Sequence, residues 1–337
     1  MSGEGTGLHG WLVLDKPLGL GSTQGVSAAK RALRAGGYPK AKVGHGGTLD
    51  PLATGVLPIA VGEATKLAGR LLDSDKAYDF TIRFGEQTDT LDTEGQVIAT
   101  SAVRPTAQQV DAVLPRFTGP IAQVPPAFSA LKVDGERAYD LARAGGEVVL
   151  PSRNVVIHAL HSSPERGGGP PAPAGGGGPA IGGALLDHPS TSFAGPPPRA
   201  GEELEEITLT AHVSKGTYIR SLARDIAQAL GTVGHVTYLR RTKAGPFDLA
   251  HAVSLDKLAE AGMMRGLEHL LLPLRAGLDD IPALSLTPDQ AGALRQGRVL
   301  AGIRAADGAT FATLHDVPVA LVEVNGGEVR VVRGFNL

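Results

Sequence analysis

The sequence predicts an α+β fold with a mixed, mainly antiparallel sheet, followed by a small β-rich C-terminal domain. Three observations lead to this fold class. Apolar residues alternate in YDFTIRFG, which begins at Tyr78, and this pattern indicates a half-buried strand. Helical and strand patterns alternate without the regular spacing of doubly wound folds. From Pro273 onward, short strand patterns such as FATLH, PVALVEV and EVRVVRG indicate a further β-rich unit.

Three helices are predicted from capping and turn signals. Ser22 and Thr23 are candidate caps for the first helix, which glycine closes. The Asp134-Gly135 pair is a turn signal before the third. The predicted helices are Ser27–Gly37, Thr106–Phe117 and Glu136–Gly146.

Residues 162–206 form a segment dominated by glycine and proline, in which hydrophobic periodicity vanishes. An interdomain linker is one interpretation. An expanded and disordered surface loop is favoured, because long loops add little closure entropy and because the flanking segments RNVVIHAL and ITLTAHV resemble strands that can pair. The segment is therefore predicted to interrupt a hairpin.

Composition narrows the functional class. The 337 residues include no cysteine, which excludes disulfides and thiolate metal sites and favours a reducing compartment. The N-terminus lacks a signal-peptide pattern, and no window reaches the length of a membrane span. We expect a cytoplasmic protein without membrane contact.

Charge is segregated along the chain although the net charge is only -2. Residues 10–60 carry six basic and two acidic residues, and residues 214–245 carry six basic and one acidic residue. Such local excess positive charge is typical of surfaces that bind nucleic acid.

One carboxylate, Asp50, stands in a loop of small residues, GHGGTLDPLATG. Glycines at 44, 46 and 47 allow close approach to a ligand or unusual backbone angles, and Pro51 favours an extended Asp50. A tight turn or a capping role is the plainer interpretation. Nucleoside triphosphate binding is disfavoured, because the loop lacks the Lys-Ser/Thr ending of a P-loop.

The segment KGTYIRSLARDIAQALG, which begins at Lys215, predicts an amphipathic helix. Arg220 and Arg224 lie four residues apart on one face, and a solvated charged face is their plain interpretation. Its apolar stripe is formed by Tyr218, Leu222, Ile226 and Leu230.

Taken together and in order, five segments resemble the bacterial tRNA pseudouridine-55 synthases of the TruB family. They are GWLVLDKPLGLGS, KVGHGGTLDPLATGVLPIAVGEATK, KAYDFTIRFGEQTDTLDTEG, QVPPAFSALKVDGERAYDLARAG and VSKGTYIRSLARDIAQALG. The resemblance implies a catalytic domain over residues 1–272 with an inserted thumb at about 118–152, and an RNA-binding domain of the PUA type over residues 273–337. Residues 162–206 have no counterpart in the family.

The resemblance implies conversion of uridine-55 in the T-loop of tRNA to pseudouridine without a cofactor or metal. Asp50 matches the family's essential aspartate, which acts either as nucleophile at the ribose C1′ or as base at C2′. Arg220 matches the arginine that orients this carboxylate. Tyr78 matches a tyrosine that stacks on the flipped uracil, although plain core packing also explains it.

Further roles also follow from the resemblance. His45 is expected to fill the space that the flipped base leaves, and Leu239 to line the uracil pocket. Lys16 and Pro17 are expected to shape the site, together with Gly47 and Pro51. The basic regions of the chain, rather than the resemblance, supply the candidate phosphate contacts: Lys66, Lys215, Arg240 and Arg241. We expect a monomer that binds the tRNA T-stem-loop without a protein partner.

Three alternatives remain at this point. A non-catalytic RNA-binding or tRNA-folding module needs only the basic regions. A guide-RNA-dependent relative shares the GTLDP loop but lacks or reduces the thumb. A nucleoside or glycoside hydrolase needs a second carboxylate opposite Asp50, and the motifs offer no convincing one.

Overall fold

The computed structural model describes residues 7–129, 131–133, 136–138, 150–163 and 201–337. The chain forms two compact units, the first from residues 1–76 and 241–337 and the second from residues 77–240. Strand β12 (Gly234–Ala244) crosses this division, so each of its halves is described with its own unit.

The first unit combines the N-terminal and C-terminal parts of the chain. Its strands, besides the end of β12, are β1 (Gly10–Lys16), β2 (Val43–His45), β3 (Thr54–Val61), β13 (Phe247–Asp248), β14 (Ala283–Ser285), β15 (Gly308–Leu314), β16 (Val317–Asn325) and β17 (Glu328–Gly334). Its α-helices are α1 (Ser22–Ala35), α2 (Ala68–Asp73), α5 (Leu255–Met263) and α6 (Pro288–Arg295). Short 3-10 helices lie at Gly62–Lys66, Leu249–His251, Leu267–His269 and Leu274–Gly277.

Strand β3 organises the N-terminal part of this unit. Both β1 and β2 pair antiparallel with it, and the strand order is β1-β3-β12. Helix α1 packs against α5, and Gly262 permits their close approach, since a Cβ there would lie 2.8 Å from the Ala32 Cα atom. Gly25 of α1 likewise faces Leu57 of β3, at 2.9 Å from its ideal Cβ.

Helix α1 corrects one prediction. It begins at Ser22, five residues earlier than predicted, and neither Ser22 nor Thr23 is its N-cap. Gly21 occupies the cap position, and the Gln24 side chain accepts a hydrogen bond from the Gly21 N–H at 2.7 Å. Ser22 is buried in the first turn, where its hydroxyl is available for another contact.

The predicted β-rich C-terminal region is present. Strands β15, β16 and β17 form an antiparallel meander, and β14 joins β15 in parallel. This region has a small core of its own, and it also places Phe311, Leu321 and Phe335 in a core with Trp11. The boundary at residues 272 and 273 stays a prediction.

The second unit is a mainly antiparallel sheet with two helices against it. Its strands, besides the start of β12, are β4 (Lys76–Phe84), β5 (Glu86–Thr88), β6 (Val97–Thr100), β7 (Gly119–Gln123), β8 (Lys132–Val133), β9 (Glu136–Arg137), β10 (Arg153–Ser162) and β11 (Glu206–Val213). The strand order is β12-β4-β11-β10-β7. The helices are α3 (Ala107–Val113), which continues as a 3-10 helix at Leu114–Phe117, and α4 (Ile219–Ala229).

Strands β10 and β11 confirm the predicted hairpin. They pair antiparallel from Ile157 opposite Val213 to Ser162 opposite Leu209. The glycine- and proline-rich segment therefore joins two paired strands of one unit, and the linker interpretation is wrong. Residues 164–200 of that segment lie outside the described residues.

The predicted helix at Glu136–Gly146 is wrong at its start. Glu136 and Arg137 form β9, which pairs antiparallel with β8 in a short two-stranded sheet. A helix-like spacing of apolar residues does not exclude a hairpin when a turn signal precedes the segment. Most of the remaining helix prediction, the turn at Asp134-Gly135 and much of the predicted thumb lie outside the described residues.

Candidate active site

The loop that carries Asp50 joins β2 to β3 in the first unit. Asp50 is half-buried, and its backbone oxygen accepts a hydrogen bond from the Ala53 N–H at 3.0 Å, which closes a tight turn. Gly47 has a φ of +143°, an angle that side-chain-bearing residues rarely adopt. A Cβ on Gly46 would lie 2.6 Å from the Leu71 side chain. These two glycines therefore serve backbone geometry and packing.

Ser22 fixes the residue before Asp50. Its Oγ donates to the Leu49 carbonyl oxygen at 2.9 Å and accepts from the Leu49 N–H at 2.8 Å. Ser22 and Leu49 are both buried, so these two hydrogen bonds satisfy backbone groups that water cannot reach. This reciprocal pair attaches the loop to the first turn of α1.

Lys16 fixes the residue after Asp50. It is fully buried at the end of β1, and its Nζ donates to the carbonyl oxygens of Pro17 at 3.0 Å, Leu20 at 2.7 Å and Pro51 at 3.2 Å. Gly19 also donates its N–H to the Pro51 oxygen, at 2.9 Å. This geometry agrees with the structural role predicted for Lys16, Pro17 and Pro51.

Arg241 fixes the start of the same loop, and this corrects its predicted role. Only 1% of Arg241 is exposed, so it cannot serve as a phosphate contact on the surface. Its Nε donates to the Val56 carbonyl oxygen at 2.7 Å, and its two terminal nitrogens lie 3.1 Å from the Thr48 oxygen and 3.5 Å from the Gly47 oxygen. The rigid guanidinium fork thereby ties the loop to β3.

His45 ends β2 and is half-buried at the base of the loop. Its Nδ1 accepts a long hydrogen bond, 3.4 Å, from the Gly47 N–H. Burial, and secondarily the charge of Arg241, lowers the pKa of His45 from its ordinary value of 6.5. His45 is therefore neutral at physiological pH.

In the second unit, Arg220 lies in the first turn of α4 and is buried, so the solvated-face interpretation is wrong. One terminal nitrogen donates to Asp92 Oδ2 at 3.0 Å and to the Thr90 carbonyl oxygen at 2.9 Å, and the other donates to the Phe128 carbonyl oxygen at 3.0 Å. Asp92 is itself 2% exposed. The sequence analysis missed Asp92, although it lies within the quoted segment TDTLDTEG.

Tyr78 lies on β4 in the second unit. It alternates with Phe80, Ile82 and Phe84 as predicted, but these three are fully buried whereas Tyr78 is only half-buried. Tyr78 is therefore at the edge of the core. Part of the residue therefore remains accessible to a ligand.

The remaining predicted binding residues have different environments. Leu239 on β12 is 5% exposed, Arg240 beside it is half-buried, and Lys215 is exposed before α4. Lys66, in the first unit, forms an ion pair with Glu63 at 2.6 Å and donates to the Gly334 carbonyl oxygen at 2.9 Å. Lys66 therefore anchors the last strand, and its phosphate contact stays a prediction.

Two absences apply to the described part of the chain. It contains no group of three or more histidine, aspartate or glutamate side chains arranged to hold a metal ion. None of its helices is long and apolar enough to cross a membrane.

Each unit thus assembles its own part of the predicted site. The first unit brings Lys16, Ser22 and Arg241 to the loop of Asp50, and the second brings Asp92 to Arg220. The predicted pairing of Asp50 with Arg220 stays a prediction.

Two family descriptions match the chain. Residues 31–164 match the N-terminal domain of TruB family pseudouridylate synthases, and residues 220–279 match the C-terminal domain of tRNA pseudouridylate synthase B. The curated relatives include the tRNA pseudouridine synthase B of Novosphingobium aromaticivorans, 60% identical over 98% of this chain and 98% of the relative. The enzyme of the same name from Zymomonas mobilis is 53% identical over 98% of this chain and 96% of the relative.

Solved structures share the fold. One is an H/ACA RNP bound to a substrate RNA containing 2'-deoxyuridine, with a TM-score of 0.65 and 22% identity over 97% of this chain and 85% of that chain. Another is the archaeal box H/ACA sRNP Nop10-Cbf5 complex, with a TM-score of 0.63 and 22% identity over 97% of this chain and 86% of that chain. At this identity the likeness concerns the fold.

Proposed function

The chain belongs to the TruB family of pseudouridylate synthases, and we propose that it isomerises uridine-55 in the T-loop of tRNA to pseudouridine. The observation that carries the proposal is the loop of Asp50, which buried side chains hold on both sides of the carboxylate. A reaction that needs one carboxylate at a fixed place beside a ribose benefits from such rigidity.

In this reaction the bond between the ribose C1′ and uracil N1 breaks, the uracil turns, and a bond forms between C1′ and C5. The C5 proton leaves and N1 gains a proton, so substrate and product are isomers. Asp50 supplies the carboxylate, either as nucleophile at C1′ or as base at C2′. Neither route needs a cofactor or a metal.

Arg220 and Tyr78 complete the proposed catalytic set. We expect Arg220 to orient the Asp50 carboxylate in the bound complex. The hydrogen bonds that it donates to Asp92, Thr90 and Phe128 already restrict its side chain. Tyr78, which is only half-buried, is proposed to stack on the uracil.

The uridine must leave the stacked T-loop before Asp50 can reach its sugar, at a cost of a few kcal/mol. His45 is proposed to occupy the vacated space. Its lowered pKa suits this role, because a neutral ring enters a stacked base environment without the cost of burying a charge. Leu239, a buried apolar side chain, is proposed to line the uracil pocket.

Phosphate contacts are proposed for Lys66, Lys215 and Arg240, whereas Arg241 is buried and donates to the backbone of its own unit. Residues 118–152 are proposed to act as a thumb over the T-stem-loop, and residues 273–337 to bind RNA as a PUA-type domain. We propose a cytoplasmic enzyme that acts as a monomer without a protein partner.

The test is tritium release from a tRNA transcript that carries [5-³H]uridine, because the C5 hydrogen leaves only when C5 joins the ribose. Purified protein alone is compared with Asp50→Asn and with Asp256→Asn, which changes an exposed carboxylate on α5. We expect release from the wild type and from Asp256→Asn, and none from Asp50→Asn.

Two outcomes would favour the alternatives. Equal tRNA binding by wild type and Asp50→Asn without any release would indicate a tRNA-folding module. Release only after a guide RNA and partner proteins are added would indicate the guide-dependent class.

A further inference from the structure

A cavity of about 740 Å³ lies in the first unit between α1 and the segment that leads into β2. Four basic residues line it: Lys30, Arg34, Lys40 and Lys42. All four are exposed, and its described lining includes no acidic residue. We call this cavity, with its four basic residues, the cationic cleft.

The charges of the cationic cleft have no ion-pair partner among the described residues. Within the described residues, none of the four forms an ion pair, whereas other surface basic residues such as Arg70 and Arg330 do. Lys30 and Arg34 also lie one helical turn apart, where like charges repel. Such a cluster favours a ligand with several negative charges.

The walls of the cleft suit a nucleotide chain better than a small ion. Leu33, Val43 and Ala68 supply an apolar surface beside the cations. Tyr38 adds a half-buried ring, held by a 2.5 Å hydrogen bond from its hydroxyl to Glu268. Phosphates at the cationic rim and a ribose or base face against the apolar wall would occupy both kinds of surface.

The cleft reaches strand β2, which leads into the loop of Asp50. Val43 and Gly44 line it, and His45 follows them directly in β2. Two residues separate Lys42 from His45, so their Cα atoms lie at most roughly 11 Å apart. A strand of RNA at His45 therefore needs only one or two more nucleotides to bring a phosphate to Lys42.

We propose that the cationic cleft binds the phosphate backbone of the tRNA substrate. This inference rests on the proposed function, and it adds a binding surface on α1 and on the segment before β2. Phosphate contacts position an RNA without reading its sequence, so the cleft contributes affinity and register rather than base choice.

Two double variants with the same change in net charge test the proposal. Lys30→Glu/Lys40→Glu reverses two charges of the cleft. Arg31→Glu/Lys257→Glu is the control: Arg31 follows Lys30 in α1 but lies against α5, and Lys257 is exposed on α5. Circular dichroism melting checks that both variants are folded.

The Kd for an unmodified full-length tRNA transcript is measured from 50 to 300 mM KCl. We expect the Kd of the cleft variant to rise about tenfold or more, and the slope of log Kd against log[KCl] to fall by about 2, as for the loss of two phosphate contacts. The control variant should keep both values near those of the wild type. Equal losses in the two variants would overturn the proposal, because net charge alone would then explain them.

Inorganic phosphate is the probe for a small-anion site. Calorimetric titration of the wild type with phosphate at constant ionic strength should give no saturable heat. Saturable binding that the cleft variant loses, together with unchanged tRNA affinity, would assign the cleft to a small phosphate compound and overturn the RNA assignment. Cleft-dependent tRNA binding without any tritium release would refute the proposed reaction and leave the cleft assignment standing.

Discussion

Replacement of Arg241 by methionine tests whether this side chain mainly positions the loop of Asp50 or mainly stabilises the fold. Methionine keeps an unbranched apolar stem but removes the guanidinium fork. Two good charged hydrogen bonds disappear, to Val56 and Thr48, and each is worth about 1.5–3 kcal/mol. Removal of a buried charge returns a desolvation cost of several kcal/mol. We therefore expect a net loss of only about 1–3 kcal/mol in the free energy of unfolding.

The effect on catalysis should be larger than this loss of stability suggests. Gly47 and Thr48 no longer have a fixed partner, and Asp50 follows two residues later in the same loop. A displacement of about 1 Å of a catalytic group can reduce the rate about 100-fold. Single-turnover tritium release with saturating enzyme measures this rate, and thermal melting measures the stability.

Lys243→Met is the matched control, because Lys243 lies two residues further along β12 and is exposed. It should retain the wild-type rate and melting temperature. If Arg241→Met retains the single-turnover rate but weakens tRNA binding and lowers its salt dependence, Arg241 contacts phosphate and the positioning role is wrong.

Three further predictions concern the other site residues. Arg220→Ala should lower the free energy of unfolding by about 3–5 kcal/mol, because it leaves the Asp92 carboxylate buried without its partner. In chemical denaturation, the double variant Arg220→Met/Asp92→Leu should recover much of this loss and still lack activity. Equal stability of the two variants would contradict the reasoning. Tyr78→Phe should keep the melting temperature and lose tritium release if the hydroxyl assists removal of the C5 proton, whereas full release would restrict Tyr78 to stacking. The pKa of His45 is lower in the folded than in the unfolded protein, so His45 lowers the stability of the fold as the pH falls below its ordinary pKa of 6.5. The melting temperature of His45→Gln should therefore fall less between pH 7 and pH 5 than that of the wild type. An equal fall in both proteins would refute this.

Local sequence patterns predicted the elements whose register is set by nearby residues. The alternation in β4 placed Phe80, Ile82 and Phe84 in the core correctly, and the strands around the glycine- and proline-rich segment pair as expected. The start of α1 was placed five residues too late, and Ser22, which resembles a cap, lies inside its first turn. Its hydroxyl instead binds Leu49, a partner 27 residues away in the sequence.

The supports of the site could not be predicted from local patterns, because they depend on contacts between distant segments. Arg241 lies 193 residues after Thr48 in the sequence, and Arg220 lies 128 residues after Asp92. A surface arginine and a buried one have the same sequence letter, so the count of basic residues placed Arg241 among the phosphate contacts. Only its burial shows that its donors face the backbone of the loop.

Arg241 also links the geometry of the loop to the charge of His45. Within the described residues Arg241 forms no ion pair, and backbone carbonyl oxygens accept its hydrogen bonds instead. A charge buried in this way costs several kcal/mol. Methionine would avoid this desolvation cost, so the net stability that the arginine adds is only about 1–3 kcal/mol. The guanidinium fixes Gly47 and Thr48, and its charge contributes to the lowered pKa of His45. One buried cation therefore sets the backbone before Asp50 and helps to keep neutral the side chain proposed to replace the flipped base.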